Sequence, residues 1–376
     1  MANLRVLSIF GTRPEAIKMA PVVKALESAA GIDSRVCVTA QHRQMLDQVL
    51  DLFKIKPDID LNLMKPNQSL AQLTAQILEN IDPVLKDEHP DWVLIQGDTT
   101  TVMAASLAAF YQGIKVGHVE AGLRTNDKLQ PFPEEINRRI ASVTADLHFA
   151  PTQLSRENLL NEGISDEHIL VTGNPAIDAL QQIVKMPAPA QVDGWLKEWG
   201  ISQGKRRLVL VTAHRRENFG APIESICNAI QALASHYGDA LQLVYPVHLN
   251  PNIQDPVKKL LGGLRGVTLL PPLEYISLVH LMKAATVILT DSGGIQEEAT
   301  GLGKPALVLR EKTERPEGVT AGVLKLVGTD TDNIITETRR LLDNSKAYDA
   351  MAHAENPYGD GHAAGRIVKG LLDHTS

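Results

Sequence analysis

Short apolar segments rich in valine, isoleucine and leucine alternate with longer amphipathic segments along the chain. Strands that are buried on both faces have nearly continuous apolar sequences, and their alternation with helical segments is typical of parallel sheets covered by helices. We predict six strands in each half, at residues 5–10, 35–39, 92–96, 115–119, 147–149 and 169–172, and at residues 208–212, 241–246, 267–270, 286–290, 306–309 and 323–327. This pattern predicts an α/β protein with two Rossmann-like, doubly wound domains.

The chain length also favours two domains, because 376 residues exceed the usual size of a single hydrophobic core. We place the division after Thr172, which gives an N-terminal domain of residues 1–172 and a C-terminal domain of residues 173–356. A turn-forming segment then precedes a last predicted helix at residues 363–372. We expect residues 357–376 to pack back on the N-terminal domain.

Composition narrows the class of function. The net charge of −7 disfavours a nucleic-acid groove and a basic membrane surface. The two cysteines, Cys37 and Cys227, lack a paired spacing and are expected to be reduced. The N-terminal residues predict a strand instead of a signal segment, and no apolar run approaches the ~20 residues of a membrane span. We therefore expect a cytoplasmic protein with neither nucleic acid nor membrane as a partner.

Polar residues cluster where predicted strands end. In the first half these clusters are Gly11–Arg13, Gln41–Arg43, Gly97–Thr100 and Glu120–Arg124, and in the second half Thr212–Asn218, Val247–Pro251 and Asp291–Gly294. Open α/β sheets bind ligands beyond the carboxyl ends of their strands. The clusters therefore predict an active site in a cleft between the two domains.

The first turn suited to a phosphorylated ligand is Gly11-Thr12-Arg13-Pro14-Glu15. A helix that opens directly after a strand directs unpaired N–H groups toward an anion, and Arg13 can fork onto phosphate oxygens. The alternative is an ordinary turn with a surface arginine.

The second such turn spans residues 291–298. Gly293 and Gly294 allow the backbone to approach a diphosphate, and Ser292 adds a hydroxyl donor. Glu298 lies about one helical turn further on, where a carboxylate can accept both hydroxyls of a ribose. The alternative is a capped helix with a solvated pair of glutamates.

Three carboxylates, those of Asp98, Glu120 and Glu134, are candidates for acid–base chemistry because they lie at strand ends or at a helix start. For Glu134 the structural alternative is strong. The pairs Glu134–Arg138 and Glu135–Arg139 have the i,i+4 spacing of ion pairs on exposed helices.

His214 and the two arginines after it are interpreted as a cationic cluster over a leaving phosphate. His118 and Glu120 share a strand face, but the sequence contains no HExxH motif, no Asp-rich loop and no CxxC, so we expect no metal. No GxGxxG follows a predicted strand, which disfavours NAD-dependent redox chemistry. We expect no cofactor.

These motifs closely resemble those of the bacterial non-hydrolysing UDP-N-acetylglucosamine 2-epimerases. The resemblance extends over essentially the whole chain. It rests on Gly11–Glu15, Gln41–Arg43, Gly97–Thr100, His118–Arg124, Pro133–Glu135, His214–Glu217, Asp291–Glu298 and Thr313–Glu317.

The resemblance implies a glycosyltransferase-B-like fold, a homodimer and specific residue roles. It implies chemistry at Asp98, Glu120, Glu134 and His214, and UDP binding by Arg13, Lys18, Ser292, Gly293, Gly294, Glu298 and Arg315. Family members are often activated by a second substrate molecule. The residues that match that site are Gln41, Gln44, Gln68, Arg215 and His248, with Asn67 where some relatives have arginine.

The implied activity is the interconversion of UDP-N-acetylglucosamine and UDP-N-acetylmannosamine, which supplies N-acetylmannosamine units for a cell-surface polysaccharide. The proton on carbon 2 is hardly acidic, so we expect elimination of UDP to 2-acetamidoglucal, followed by re-addition. One alternative is a hydrolysing epimerase that releases UDP and N-acetylmannosamine. Others are a glycosyltransferase of the same fold, for which no acceptor surface is evident, and a nucleotide-sugar sensor, which the strand-end carboxylates disfavour.

Overall fold

The computed structural model describes residues 3–40, 43–64 and 68–375. Their contacts divide the chain into two compact units, one of Met1–Ala179 with Tyr358–Ser376 and one of Leu180–Pro357. Each unit contains one parallel sheet flanked by helices, which confirms the predicted α/β class with two Rossmann-like units.

The first unit has a seven-stranded sheet. Its strands are β1 (Leu4–Phe10), β2 (Ile32–Val38), β3 (Ile59–Asp60), β4 (Trp92–Gln96), β5 (Lys115–Val119), β6 (Leu147–Ala150) and β7 (Ile169–Val171). Its helices are α1 (Arg13–Ser28), α2 (Arg43–Phe53), α3 (Leu70–Glu88), α4 (Thr100–Tyr111), α5 (Glu134–Thr144), α6 (Gln153–Asn161) and the C-terminal α16 (Ala363–Asp373). Helix α7 (Pro175–Lys185) carries the chain into the second unit.

The second unit has a six-stranded sheet. Its strands are β8 (Arg207–Thr212), β9 (Leu241–Pro246), β10 (Val267–Leu270), β11 (Val287–Thr290), β12 (Ala306–Val308) and β13 (Leu324–Leu326). The helices are α8 (Ala190–Glu198), α9 (Ala221–Tyr237), α10 (Pro251–Leu261), α11 (Tyr275–Ala284), α12 (Gly293–Gly301), α13 (Pro316–Thr320), α14 (Thr331–Asp343) and α15 (Ser345–Ala352).

Strand order gives each sheet a point at which the direction of winding reverses. The order is β3-β2-β1-β4-β5-β6-β7 in the first unit and β10-β9-β8-β11-β12-β13 in the second. The reversals therefore lie between β1 and β4, and between β8 and β11. Loops that leave neighbouring strands at a reversal diverge and open a crevice, which is where such sheets bind ligands.

The strands form where the sequence places apolar side chains on both faces. Every residue of β4 is buried, and so is every residue of β11. The predicted strands are all present with ends that shift by three residues or fewer. The prediction missed β3, a two-residue strand that pairs with β2 at the edge of the sheet. Its exposure on the edge removes the apolar signal on which the prediction depends.

The division between the units falls within α7, after Ala179, where the sequence suggested Thr172. Hydrogen bonds explain the difference, because the amide of Asn174 donates to the carbonyl of Tyr358 at 2.7 Å. The Asp178 carboxylate accepts from the amides of Ala363 and Ala364 and so caps α16. Helix α16 packs against α1 in the first unit.

Two features of the composition have structural counterparts. Cys37 lies in β2 and Cys227 in α9, both free and buried, and burial raises the pKa of each thiol to about 12. In the described ranges, no helix combines the length and the apolar character required to cross a bilayer.

Candidate active site

Backbone amides of the turn after β1 are hydrogen-bonded to Glu15 of the same turn. Thr12 caps α1, and the buried Glu15 carboxylate accepts the amide of Gly11 at 3.1 Å and that of Thr12 at 2.7 Å. Burial raises the pKa of Glu15, although these bonds oppose the shift. The expectation that this turn offers its amides to an anion is therefore wrong for these two. Arg13, half-buried at the first position of α1, remains the candidate phosphate ligand of the turn.

Glu15 also joins this turn to the loop after β4, because the Thr99 hydroxyl donates to its Oε1 at 2.7 Å. The glycine at position 11 is required by a further close approach, to Thr39 after β2. A Cβ there would lie 2.0 Å from Oγ1 of Thr39. The two loops at the winding reversal of the first sheet are thus held together by one carboxylate.

Asp98 follows β4, and its carboxylate is fixed by Arg138. Nε and Nη2 of Arg138 donate to Oδ2 of Asp98 at 2.9 and 2.7 Å, and the Asn137 amide group donates to the Asp98 carbonyl at 2.8 Å. Arg138 is buried and also donates to the fully buried Glu135 at 3.1 Å. The i,i+4 pair of Glu135 with the exposed Arg139 is present at 3.5 Å, but Glu135 and Arg138 themselves face inward from α5, so an exposed helix face does not describe these two residues.

Glu120 directly follows β5, has a positive φ of 64° and is held by three side chains that donate N–H groups. Lys18 Nζ lies 2.6 Å from each oxygen, Asn174 Nδ2 donates to Oε1 at 2.9 Å, and Gln96 Nε2 donates to Oε2. Lys18, which the resemblance assigned to UDP, thus pairs with a candidate catalytic carboxylate. Hydrogen bonds to both oxygens favour the ionised carboxylate.

The third carboxylate, Glu134, is the first residue of α5 and is half-buried. It lies one helical turn before Arg138 on the same face, and Arg138 contacts Asp98. Glu120 also reaches this region, since a Cβ on Gly97, next to Asp98, would lie 3.6 Å from Glu120 Oε2. The structure thus brings the three predicted carboxylates to one region of the first unit. Arg138, Gln96 and Asn174 were missed, because pairing across strands leaves no local spacing signal.

Two buried histidines lie behind these loops. His118 and His148 are register neighbours on β5 and β6, and His118 Nε2 lies 2.8 Å from the Gly97 carbonyl. Burial lowers the pKa of His118 to about 4 and that of His148 to about 3, so both are neutral near pH 7. In the described part of the chain, no group of three or more His, Cys, Asp or Glu side chains is arranged to hold a metal ion.

His214 follows β8 and is held by Asp291, which follows the neighbouring strand β11. The Asp291 carboxylate accepts the amides of His214 and Arg215, each at 2.7 Å. The ring of His214 stacks on that of His248 at 5.5 Å between centroids. Burial lowers the pKa of His214, opposed by Asp291. The expectation of a cationic His214 therefore does not hold for the unliganded protein near pH 7.

The start of α12 carries the expected phosphate-binding residues. Ser292 is its N-cap residue, and a Cβ on Gly293 would lie 2.8 Å from Nη1 of Arg315, so the guanidinium packs directly on this turn. Arg315 Nε donates to Glu297 at 2.7 Å. A Cβ on Gly294 would meet nothing, which leaves the helix start open there.

Glu314 organises the arginines beside this turn. Its carboxylate lies 3.2 Å from nitrogens of both Arg315 and Arg310, and 4.0 Å from Arg215. Burial alone would raise the pKa of Glu314, but the three guanidiniums lower it to about 2. Glu314 was not among the predicted site residues. Arg310 and Arg315 are its neighbours in sequence, but Arg215 lies about 100 residues away, and no local motif reveals that contact.

Glu298, the expected ribose ligand, accepts the hydroxyl of Tyr275 at 2.9 Å. Both side chains are buried, and Tyr275 begins α11. This contact fixes the carboxylate within the second unit.

The residues assigned to activation are distributed over several elements. Gln41 and Asn67 lie outside the described residues, as does the side chain of Gln44. Gln68 donates to the Leu63 carbonyl at 3.3 Å in the first unit. In the second unit, His248 stacks on His214 and Arg215 lies beside Glu314.

Comparison with known proteins gives a consistent result over the whole chain. The family described as UDP-N-acetylglucosamine 2-epimerase matches residues 24–372. The UDP-N-acetylglucosamine 2-epimerase of Escherichia coli K12 is 53% identical over 373 residues, which is 99% of each chain. That of Bacillus subtilis 168 is also 53% identical, over 100% of this chain and 96% of its own. The Neisseria meningitidis UDP-GlcNAc 2-epimerase, in a crystal structure with UDP-GlcNAc, has a TM-score of 0.91 at 51% identity, covering 98% of this chain and 100% of that one.

Proposed function

The chain belongs to the UDP-N-acetylglucosamine 2-epimerase family, and we propose that it interconverts UDP-N-acetylglucosamine and UDP-N-acetylmannosamine without hydrolysis. The observation that carries the chemical part of the proposal is the group of three carboxylates at strand ends of the first unit. Two of them are held by cations, Asp98 by the buried Arg138 and Glu120 by the half-buried Lys18. A protein that only binds a diphosphate gains nothing from placing negative charge there.

The reaction needs a leaving group, because the proton on carbon 2 is hardly acidic. A base removes that proton, its bonding electrons form the double bond between carbons 1 and 2, and UDP departs with the electron pair of the carbon 1–oxygen bond. Re-addition of UDP to 2-acetamidoglucal, with protonation from the opposite face, gives the epimer. Atoms and electrons balance without an oxidant or reductant.

The second unit supplies the UDP contacts in this proposal. The helix start at Ser292, Gly293 and Gly294 stabilises the diphosphate through its amides and dipole, together with Arg315. Glu298 binds the ribose hydroxyls in the orientation that Tyr275 fixes. Arg13, which the family resemblance assigns to UDP, is proposed to add positive charge to the departing UDP.

Asp98 is the carboxylate best placed to transfer a proton directly. Arg138 binds its Oδ2 through Nε and Nη2, and the Asp98 side chain keeps 28% of its surface exposed. Glu120 has donors on both oxygens, which makes it a weaker proton acceptor and favours a role in fixing Lys18. Glu134, on the same helix as Arg138, is the candidate for the opposite face of the sugar.

The test is proton NMR of the protein with UDP-N-acetylglucosamine in deuterated water, with nothing else added. The expected product is UDP-N-acetylmannosamine with deuterium at carbon 2. Free N-acetylmannosamine with UDP would support the hydrolysing alternative. An unchanged spectrum at high substrate concentration would refute the proposal.

The variant Asp98→Asn tests the residue assignment. We expect it to retain UDP binding and to lose turnover by about 10²-fold or more, the usual effect of removing a general base. Asp166→Asn is the matched control, because Asp166 also pairs with an arginine, Arg156, on an exposed surface. Wild-type turnover by Asp98→Asn would remove Asp98 from the mechanism.

Four further properties are proposed, the cytoplasmic location from the composition and the other three from the family resemblance. The enzyme is a cytoplasmic homodimer, and its product supplies a cell-surface polysaccharide. A second UDP-N-acetylglucosamine activates it through Gln41, Gln44, Gln68, Arg215 and His248. Sigmoidal dependence of the initial rate on substrate concentration, and its loss in Gln68→Ala, would support the activator site.

A further inference from the structure

Asp291 is a fully buried carboxylate in the second unit, at the point where the winding reverses. Its Oδ2 accepts three N–H bonds, from the amides of His214 and Arg215 at 2.7 Å and from Asn218 Nδ2 at 2.8 Å. These bonds fix one end of the carboxylate and also the backbone of the segment that carries His214.

The other oxygen, Oδ1, has no hydrogen-bond partner in the described part of the chain. A buried carboxylate oxygen in that situation is rare and calls for an explanation. Nδ1 of His214 lies 3.7 Å away, and the ring is kept in place by stacking on His248 at an interplanar angle of 15°. Oδ1 therefore faces the one group on the adjacent loop that can acquire a positive charge.

The surroundings of His214 oppose that charge in the unliganded protein. Burial is the largest effect that lowers the pKa of His214, and His248 and Arg215 lower it further, while Asp291 raises it. A diphosphate beside the ring would add negative charge and shift the balance toward the imidazolium.

We propose that Asp291 is a positioning residue that turns Nδ1–H of His214 toward itself and stabilises the imidazolium, so that binding of UDP is accompanied by uptake of one proton. This rests on the proposed function only in taking UDP as the ligand. The proton comes from solvent and resides on Nε2, the nitrogen that faces away from Asp291. The Nε2–H group then donates a hydrogen bond to a phosphate oxygen of the departing UDP.

Calorimetry with wild-type protein and UDP provides the first test. Titrations near pH 7.5 in buffers of different ionisation enthalpy should show net uptake that approaches one proton per UDP. Binding without proton uptake would refute the inference alone. Absence of UDP binding would refute the proposed function itself.

The variant Asp291→Asn tests the residue. The amide oxygen can retain the three N–H donors, but the amide nitrogen presents a donor to Nδ1 and the negative charge is lost. We expect proton uptake to disappear, UDP affinity to fall at least tenfold at pH 6.5 with a smaller change at pH 8.5, and kcat to fall more than KM rises. Nitrogen NMR should show a UDP-dependent imidazolium signal in wild type, absent from His214→Gln and from Asp291→Asn.

Asn218→Ala separates positioning from simple support of the loop. It removes one bond to Oδ2 and leaves the carboxylate charge beside His214, so proton uptake should persist. Loss of uptake in Asn218→Ala to the same extent as in Asp291→Asn would overturn the assigned role. An imidazolium signal in UDP-bound Asp291→Asn would overturn it as well.

Discussion

Replacement of Arg138 by methionine tests how the candidate site is supported. Methionine has a similar length but removes the donors to Asp98 and Glu135. Breaking a buried ion pair costs about 3–5 kcal/mol. The Asp98 side chain is 28% exposed, and Glu135 keeps the amides of Thr125 and Asn126. We therefore expect a loss at or somewhat below the lower limit of that range, about 2–3 kcal/mol in the free energy of unfolding of the first unit.

The same variant should lose turnover, because a displacement of about 1 Å at a reacting group can cost about 10²-fold. Native-state hydrogen exchange of peptides from the first unit measures the stability change, and NMR of UDP-N-acetylglucosamine turnover measures the activity. Arg156→Met, at an exposed ion pair with Asp166, is the matched control and should change neither. Wild-type protection from exchange in Arg138→Met would refute the reasoning about buried pairing, whatever its activity.

Two predictions concern stability alone. Asp178→Ala removes the acceptor for the Ala363 and Ala364 amides and should lower the free energy of unfolding by about 1 kcal/mol, as loss of an N-cap does. Amide hydrogen exchange should accelerate selectively in α16. Unchanged protection of α16 would contradict the prediction. His118 has a folded-state pKa of about 4 because it is buried, whereas its pKa in the unfolded chain is about 6.5. Between these two pH values the unfolded chain binds more protons than the folded protein. The free energy of unfolding therefore falls as pH decreases from about 6.5 toward 4. Urea unfolding between pH 7 and 4 should show a shallower decline for His118→Gln than for wild type, and parallel curves would count against this explanation.

The sequence predicts the sheets well because parallel strands are buried on both faces. The continuous apolar runs of β4 and β11 have the length of a buried strand, and no other element fits an apolar run of that length. Strand order cannot be predicted in the same way, because it depends on which apolar runs, distant in the chain, pair with each other. The sequence therefore identified the turns after β1, β4, β8 and β11 as chemically unusual, but only the pairing of β1 with β4 and of β8 with β11 shows why these four matter.

The errors at the site have a common physical cause, which is that buried carboxylates bind donors to which the sequence suggested another role. Glu15 and Asp291 each take two backbone amides. Local spacing pairs Glu134 with Arg138 on an exposed helix, whereas in the fold Arg138 bridges Asp98 and the buried Glu135. A buried carboxylate must find several donors or lose its charge, so each one constrains groups distant in sequence. The residues that orient the chemistry are for this reason less visible in the sequence than the residues that perform it, and the Arg138 and Asp291 variants test that distinction directly.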